Sequence, residues 1–280
     1  MGTTIYKGID WYAGFQSVSM IKVGQPVGVF YGYITDGLYK DAEDLRTSAL
    51  PEGISINRTT GAWVGDVKFK DISGPNGVPD GIINEYDQTV IGDPNPDFTF
   101  GFTNTFTFKN WELGIGLTGS VGADIMNYVR VKTEGLMSQW DNQSVTVLDR
   151  AQLGYRDNNN MNISDIDNSY IINPGANIPR WSGNDLNGNN RMSDRWIEDG
   201  SYLRIQNISL GYNFPKKWLS KVGMVNCKVY FNVQNVYTFT NYSGLDPEIG
   251  SYNQDSALSN IDRGRYPLPR VFTLGTNITF

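Results

Sequence analysis

The sequence predicts an all-β chain: antiparallel strands of a partial transmembrane β-barrel, with short turns at one rim and long loops at the other. Three observations carry that expectation: long runs with strand period, connections of very unequal length, and a composition low in charge. The final run shows the period plainly. Phe272, Leu274, Ile278 and Phe280 fall on one face, with Thr276 interrupting, while Thr273, Gly275, Asn277 and Thr279 fall on the other. Strand side chains alternate between faces, so this is a ribbon with one apolar and one polar side. The termini of soluble domains commonly fray, whereas bacterial outer-membrane barrels often end on an aromatic residue inside such a strand.

Four more long segments share the pattern. Phe98, Phe100, Phe102, Phe106 and Phe108 oppose Thr99, Gly101, Thr103, Thr105 and Thr107. After Lys109-Asn110 the period restarts at Trp111, Leu113, Ile115, Leu117 and Val121, which reads as a hairpin. Between Ser201 and Phe214 the apolar phase passes from Leu203 and Ile205 to Ile208, Leu210 and Tyr212. That phase change predicts a bulge near Gln206-Asn207. Residues 215–219 read as one helical turn. Then Val225, Cys227, Val229, Phe231, Val233 and Tyr237 share a face. A shorter strand is expected within Val27 to Thr35.

These runs exceed the usual ~5–6 residues of globular strands and match the ~9–11 needed to cross a bilayer at a tilt. Alternation alone fits a large soluble sandwich equally well. The connections separate the two readings. One is two residues, whereas Gly122 to Gly200 lacks clear strand periodicity, apart from an expected helix over Asp124 to Leu136. Short turns on one rim and long loops on the other belong to outer-membrane barrels.

Composition narrows the function. Charged residues make up 19% and aromatics 13%, with 31 glycines and 16 tyrosines, which suits strands better than helices. A formal charge of −6 argues against nucleic acid as a partner. There is no histidine, which removes the commonest general base and metal ligand. The single Cys227 lies in an apolar strand phase and forms no internal disulfide. No run approaches the ~18 apolar residues of a transmembrane helix, and Met1 to Tyr6 does not read as a signal peptide. No P-loop, dinucleotide fingerprint or placed carboxylate pair occurs, so no catalytic residue is expected.

Two candidate sites remain. Residues 71–87 resemble an interrupted calcium loop, which needs oxygen ligands at its positions 1, 3, 5 and 12 and glycine at 6. Counting from Asn76, Asp80, Gly81 and Asp87 fall in place, but Val78 takes a position that needs oxygen. Asp71 fills the gap only if residues 73–75 loop out. The candidate calcium ligands are Asp71, Asn76, Asp80 and Asp87; the competing reading is an Asx-rich turn that satisfies its own backbone. Trp140, Tyr155, Tyr170 and Trp181 lie in the long loop, where they either stack on a ligand such as a sugar ring or pack the loop onto its neighbours.

Several stretches together carry a family resemblance. They are residues 23–33 (Val-Gly-Gln-Pro-Val-Gly-Val-Phe-Tyr-Gly-Tyr), Asp36-Gly37-Leu38-Tyr39, Gly65-Asp66-Val67-Lys68-Phe69 and residues 91–98 (Ile-Gly-Asp-Pro-Asn-Pro-Asp-Phe). Further on come residues 196–205, Asn232 to Tyr237, Gly244-Leu245-Asp246-Pro247-Glu248 and Tyr266-Pro267-Leu268-Pro269-Arg270. In this order they resemble the C-terminal part of the SusC/RagA family of TonB-linked outer membrane proteins. The Asp-rich turn departs from the tighter Asp-x-Asn-Gly-Asp-Gly form of that family.

The resemblance implies residues 1–280 of a TonB-dependent receptor barrel in the cell outer membrane, with a long loop over about 122–200 and without signal peptide, TonB box or plug. Such barrels have about 22 strands and a plugged lumen. The implied partners are a SusD-like lipoprotein, the TonB complex acting through the part that is missing here, outer-membrane lipid, and an oligosaccharide or peptide ligand. Phe272, Leu274, Ile278 and Phe280 would form the terminal signal for barrel insertion. No cofactor is implied beyond the calcium considered above. The alternative is a soluble surface glycan-binding β-domain that buries the same apolar phases; a carboxylate-dependent hydrolase in the long loop is the least supported reading.

Overall fold

The computed structural model describes residues 4–11, 14–135, 142–160, 162–183 and 185–280. The chain divides into two compact units. The first comprises Met1–Pro94, Met126–Ile197 and Gly250–Arg263; the second comprises Asn95–Ile125, Glu198–Ile249 and Gly264–Phe280.

The first unit contains a four-stranded antiparallel sheet of β1 (Ile5–Trp11), β2 (Gly14–Ile21), β3 (Val29–Gly32) and β4 (Thr89–Gly92), adjacent in that order. One face supplies Ile9, Val18 and Phe30 to a buried cluster with Tyr128, Val131, Met192 and Trp196. The strand expected within Val27 to Thr35 is shorter than its pattern. It ends at Gly32, where the chain turns to donate the Tyr33 N–H to Met192 O, 3.0 Å. A second cluster packs Leu38, Trp63, Val67, Phe69 and Ile83 with Ala151 and Ile171.

The segment from Gly122 to Gly200 therefore contains more structure than its lack of periodicity indicated. Leu153–Tyr155 pairs with Ser169–Ile171, and Met192 and Trp196 are core residues. The helix expected over Asp124 to Leu136 is shorter. Asp124–Asn127 is a strand, Met126 and Asn127 pairing with Ile261 and Asp262, and helix α1 runs over Tyr128–Glu134. Asn127 ends the strand and starts the helix, because its side chain accepts the Arg130 N–H at 3.1 Å.

The second unit is a five-stranded antiparallel meander. Its strands are β5 (Phe98–Phe108), β6 (Trp111–Val121), β7 (Tyr202–Asn213), β8 (Asn226–Thr240) and β9 (Val271–Thr279), each paired with the next. The sheet does not close on itself; β5 and β9 each have one neighbour. The Lys109-Asn110 turn joins β5 to β6, with Lys109 in the left-handed region at φ 55°. Lys216–Leu219 forms the expected helical turn between β7 and β8. Both connections, and the end of β9 through the Cys227–Ile278 pair, lie at one rim of the sheet. From the other rim run the long connections 122–201 and 241–270.

The predicted bulge sits at Gln206. Gly116 and Leu117 of β6 pair with Asn207 and Ile205, leaving Gln206 as one extra residue. On β8 a further residue is inserted, since Gln234 and Tyr237 pair with Asn207 and Ile205. Asn235 accommodates it in the left-handed region, φ 52°. One insertion inverts the phase of β7 and the second restores it on β8. The apolar side chains consequently stay on one face through the irregularity.

Candidate functional site

The apolar face of the meander is open. Phe102 is 51% exposed, Phe231 44% and Leu274 76%, and these belong to the central stretches of their strands. Among the described residues, the buried apolar clusters draw no side chain from β5 to β9. A sandwich would have covered this face with a second sheet about 10 Å away. An exposed apolar surface of this extent marks contact with a membrane or a partner.

Aromatic rings bound the face at both rims. At the short-turn rim Trp111 lies 4.8 Å from Tyr212, which contacts Phe214 at 5.2 Å, followed by Trp218 at 6.5 Å. At the long-loop rim Tyr237 and Phe239 meet at 4.7 Å, and Phe98 and Phe100 at 6.2 Å. Between the rims the face is apolar, with Leu113, Ile115, Leu117, Ile208 and Leu210 beside Phe102, Phe106, Phe231 and Phe272. Tryptophan and tyrosine at one end of this band, and tyrosine with phenylalanine at the other, match the interfacial girdles of membrane barrels. The sequence reading noted the strands but not these girdles; the signal was there in Trp111, Tyr212 and Trp218 at the strand ends.

The opposite face is polar. Lys228 pairs with Glu112 at 2.9 Å, and the Tyr230 ring lies over Gly275, where a Cβ would collide with it. Arg204 is its best-buried charge. Its Nη2 donates to Asp246 at 2.6 Å, its Nη1 to Glu248 at 2.7 Å, and its Nε to Thr238 Oγ1 at 2.9 Å. Arg204 pairs across the sheet with Thr118 and Thr238, which places it in the polar phase. Asp246 also accepts the Glu248 and Leu268 N–H groups, fastening residues 244–248 and the Leu268 region to the sheet.

A second buried network holds the first unit together. The Asp66 carboxylate is fully buried and accepts from Trp63 N–H at 2.8 Å, Arg180 Nη2 at 2.9 Å and Asn189 Nδ2 at 3.1 Å. Asn189 Oδ1 accepts the Val67 N–H at 2.7 Å, and Asn187 Nδ2 donates to Val67 O at 2.9 Å. Burial pushes the Asp66 carboxyl up, opposed by Arg180 and these donors. Asp185 is likewise raised by burial while accepting the Asn189 and Asn190 N–H groups. The asparagine-rich stretch, which reads as a turn in sequence, clasps the Gly65-Asp66-Val67 motif.

The candidate calcium ligands hold backbone instead of each other. Asp71 accepts the Asp80 N–H at 3.3 Å and the Gly81 N–H at 2.5 Å, and Asp80 accepts the Ile82 N–H at 3.0 Å. Asp87 is buried and accepts from Ile72, Ser73 and Asn84, the last completing a capping box. Asn76 is exposed on the turn. Among the described residues no three acidic or thiol side chains cluster as metal ligands would. The arrangement is that of an Asx-rich turn.

Of the loop aromatics, Tyr155 and Tyr170 do not share a face. Tyr155 pairs across strands with Ser169, and Tyr170 with Gly154, so the two rings project from opposite faces. Tyr155 Oη accepts from Arg58 Nη1 at 2.9 Å, and the Arg156 guanidinium lies 5.8 Å from the Tyr170 ring centre. Trp181 is exposed, and Trp140 lies outside the described residues. Phe272, Leu274, Ile278 and Phe280 are all exposed, with Phe272 stacked on Phe231 at 6.3 Å.

No protein-family model matches the chain. It is 32% identical over 270 residues to the TonB-dependent receptor P3 of Formosa agariphila, covering 95% of this chain and 23% of that protein. The receptor P26 of the same organism is 30% identical over 97% of this chain and 24% of its own length. The TonB-dependent receptor SusC of Bacteroides thetaiotaomicron is 28% identical over 71% of this chain and 17% of its own. Among solved structures, the RagAB peptide importer in its open-open state superimposes with a TM-score of 0.65 at 19% identity, over 94% of this chain and 23% of the matched chain. A structure of the RagAB peptide transporter gives 0.66 at 18% identity, over 95% and 26%. The chain thus spans about a quarter of the length of the Formosa relatives and shares the fold of the matching part of RagAB. It is a homologue of the TonB-dependent receptors, SusC among them, over that part of their length.

Proposed function

We propose that these 280 residues form barrel wall and loops of a TonB-dependent outer-membrane importer for oligosaccharides or peptides. The observation that carries this reading is the open apolar band with an aromatic girdle at each rim, backed by a polar face holding Arg204, Glu112 and Lys228. In this reading the band faces lipid and the polar side faces the lumen. A SusD-like lipoprotein covers the long-loop rim, and the TonB complex acts through the remainder of the longer receptor. No residue is assigned a catalytic role.

Ile208, in the middle of the apolar face of β7 and paired with Ile115 and Val233, offers the direct test. In the parent receptor unfolded from lipid vesicles by urea, Ile208→Arg should cost about 2–4 kcal/mol, as expected near the bilayer midplane. A change within about 0.5 kcal/mol, normal for an exposed position in water, would remove the lipid contact. A protein that purifies without detergent and melts cooperatively would return the chain to the soluble glycan-binding alternative.

The same reading assigns Phe272, Leu274, Ile278 and Phe280 to the signal that the insertion machinery recognises. Phe280→Asp in the parent chain should lower the amount of heat-modifiable, folded barrel in outer-membrane fractions several-fold. Normal assembly of that variant would refute the assignment.

A further inference from the structure

The core-facing side of the β1–β4 sheet is buried, and its other side carries a cleft. Pairing places the residues of that side. Tyr6 stands opposite Met20, Met20 opposite Val29, and Tyr31 opposite Val90. Lys22 and Gln88, which flank β2 and β4, line the same side. The resulting cavity, about 300 Å³, has the buried Met20 as floor and is lined by Tyr6, Tyr31, Lys22, Gln25 and Gln88. Its volume is at the lower end of the ~300–1,000 Å³ range of small-ligand sites. The two tyrosine rings lie 5.3 Å apart with planes inclined at 44°.

We propose that this cleft is a subsite for one ring of a neutral oligosaccharide. A pyranose presents flat C–H faces ringed by hydroxyls that both donate and accept. The tyrosine rings supply apolar faces, and the Gln25 and Gln88 carboxamides supply matching donors and acceptors. Among the described residues, the side chains of Lys22, Gln25 and Gln88 form no hydrogen bond or ion pair, so their polar tips remain available to a ligand. Burial, then Tyr6, pushes the Tyr31 hydroxyl up to about 12, which keeps it a donor at neutral pH. Lys22 at the rim and Glu85, which also acts on Tyr31, bring opposite charges, consistent with a ligand of no net charge. An extended peptide would seek a free strand edge for its backbone; this cleft lies on a sheet face.

The choice of an oligosaccharide source rests on the importer reading, but binding at the cleft requires no transport. The test is calorimetric titration of the full chain in detergent with neutral cello-, malto-, laminari-, manno- and xylo-hexaoses and an uncharged hexapeptide. At least one hexaose should bind. Tyr6→Ala should weaken it about tenfold, Tyr6→Phe should retain most of the affinity, and Tyr266→Ala, at an exposed tyrosine outside the cleft, should leave it unchanged. Tyr6 is half exposed, so its truncation spares the core, and circular dichroism checks the fold. Failure of every hexaose to bind, binding of the hexapeptide alone, or affinity unaltered by Tyr6→Ala would overturn the subsite. Intact binding by a receptor that takes up none of these sugars would count against the importer and leave the subsite standing.

Discussion

Replacing Arg204 by methionine should destabilise the meander by about 3–5 kcal/mol, the usual cost of breaking a buried ion pair by removing one partner. The side chain is only 4% exposed and makes three hydrogen bonds, to Asp246, Glu248 and Thr238. Its loss strands the Asp246 carboxylate, itself 8% exposed, beside an apolar methionine. Asp246 also accepts two backbone N–H groups, so residues 244–248 and the Leu268 region should loosen together. Urea unfolding of the reconstituted protein reads the loss directly. The double variant Arg204→Met with Asp246→Leu should recover much of it, because apolar replacement of a whole buried pair is often neutral or better. A single-variant loss below about 1 kcal/mol, the upper range of surface pairs, would show that this network does not hold the loop to the sheet.

In the first unit, Asp66→Ala should cost a similar amount, about 3–5 kcal/mol. The change leaves Arg180 buried without its carboxylate and frees Asn189, which in turn receives the Val67 N–H. Hydrogen exchange makes the route visible. The Val67 amide should lose protection by orders of magnitude, while amides in β6 and β7 of the second unit should keep theirs. Asp66→Asn preserves the shape and should cost less, since its one carboxamide oxygen still accepts from Trp63, although its NH2 group then faces the Asn189 donor. Equal losses in the two variants would mean that the charge on Asp66 accounts for the whole effect and that its shape adds nothing.

Much of the second unit was legible in the order of residues. A period of two over eleven or more residues leaves one register that keeps Phe98 to Phe108 on a single face, and the two-residue Lys109-Asn110 connection sets the hairpin. The bulge at Gln206 was legible for the same reason, as a break in phase. The compensating insertion at Asn235 was not, because it leaves the phase of β8 intact.

The first unit was far less legible. Its strands are short, and segments distant in sequence complete its core, so local periodicity carries little signal. Residues 187–190 resemble a solvent-exposed turn by composition, yet Asn187, Asn189 and Asn190 are buried, because the Val67 carbonyl, the Asp66 carboxylate and the Gly135 carbonyl accept from their carboxamides there. The order of oxygen donors along residues 71–87 did not reveal which nearby backbone N–H groups Asp71, Asp80 and Asp87 accept.

Alternation along the strands was enough to establish β structure, the hairpin, the phase break and the two chemically distinct faces, since side-chain direction in a strand is set by the pleat of its own backbone. Whether the apolar face would be buried or open was beyond it, as were the placement of Arg204 against Asp246 and the Tyr6–Tyr31 cleft. Each of these depends on which strands become neighbours, a matter of long-range pairing and packing that no local period encodes.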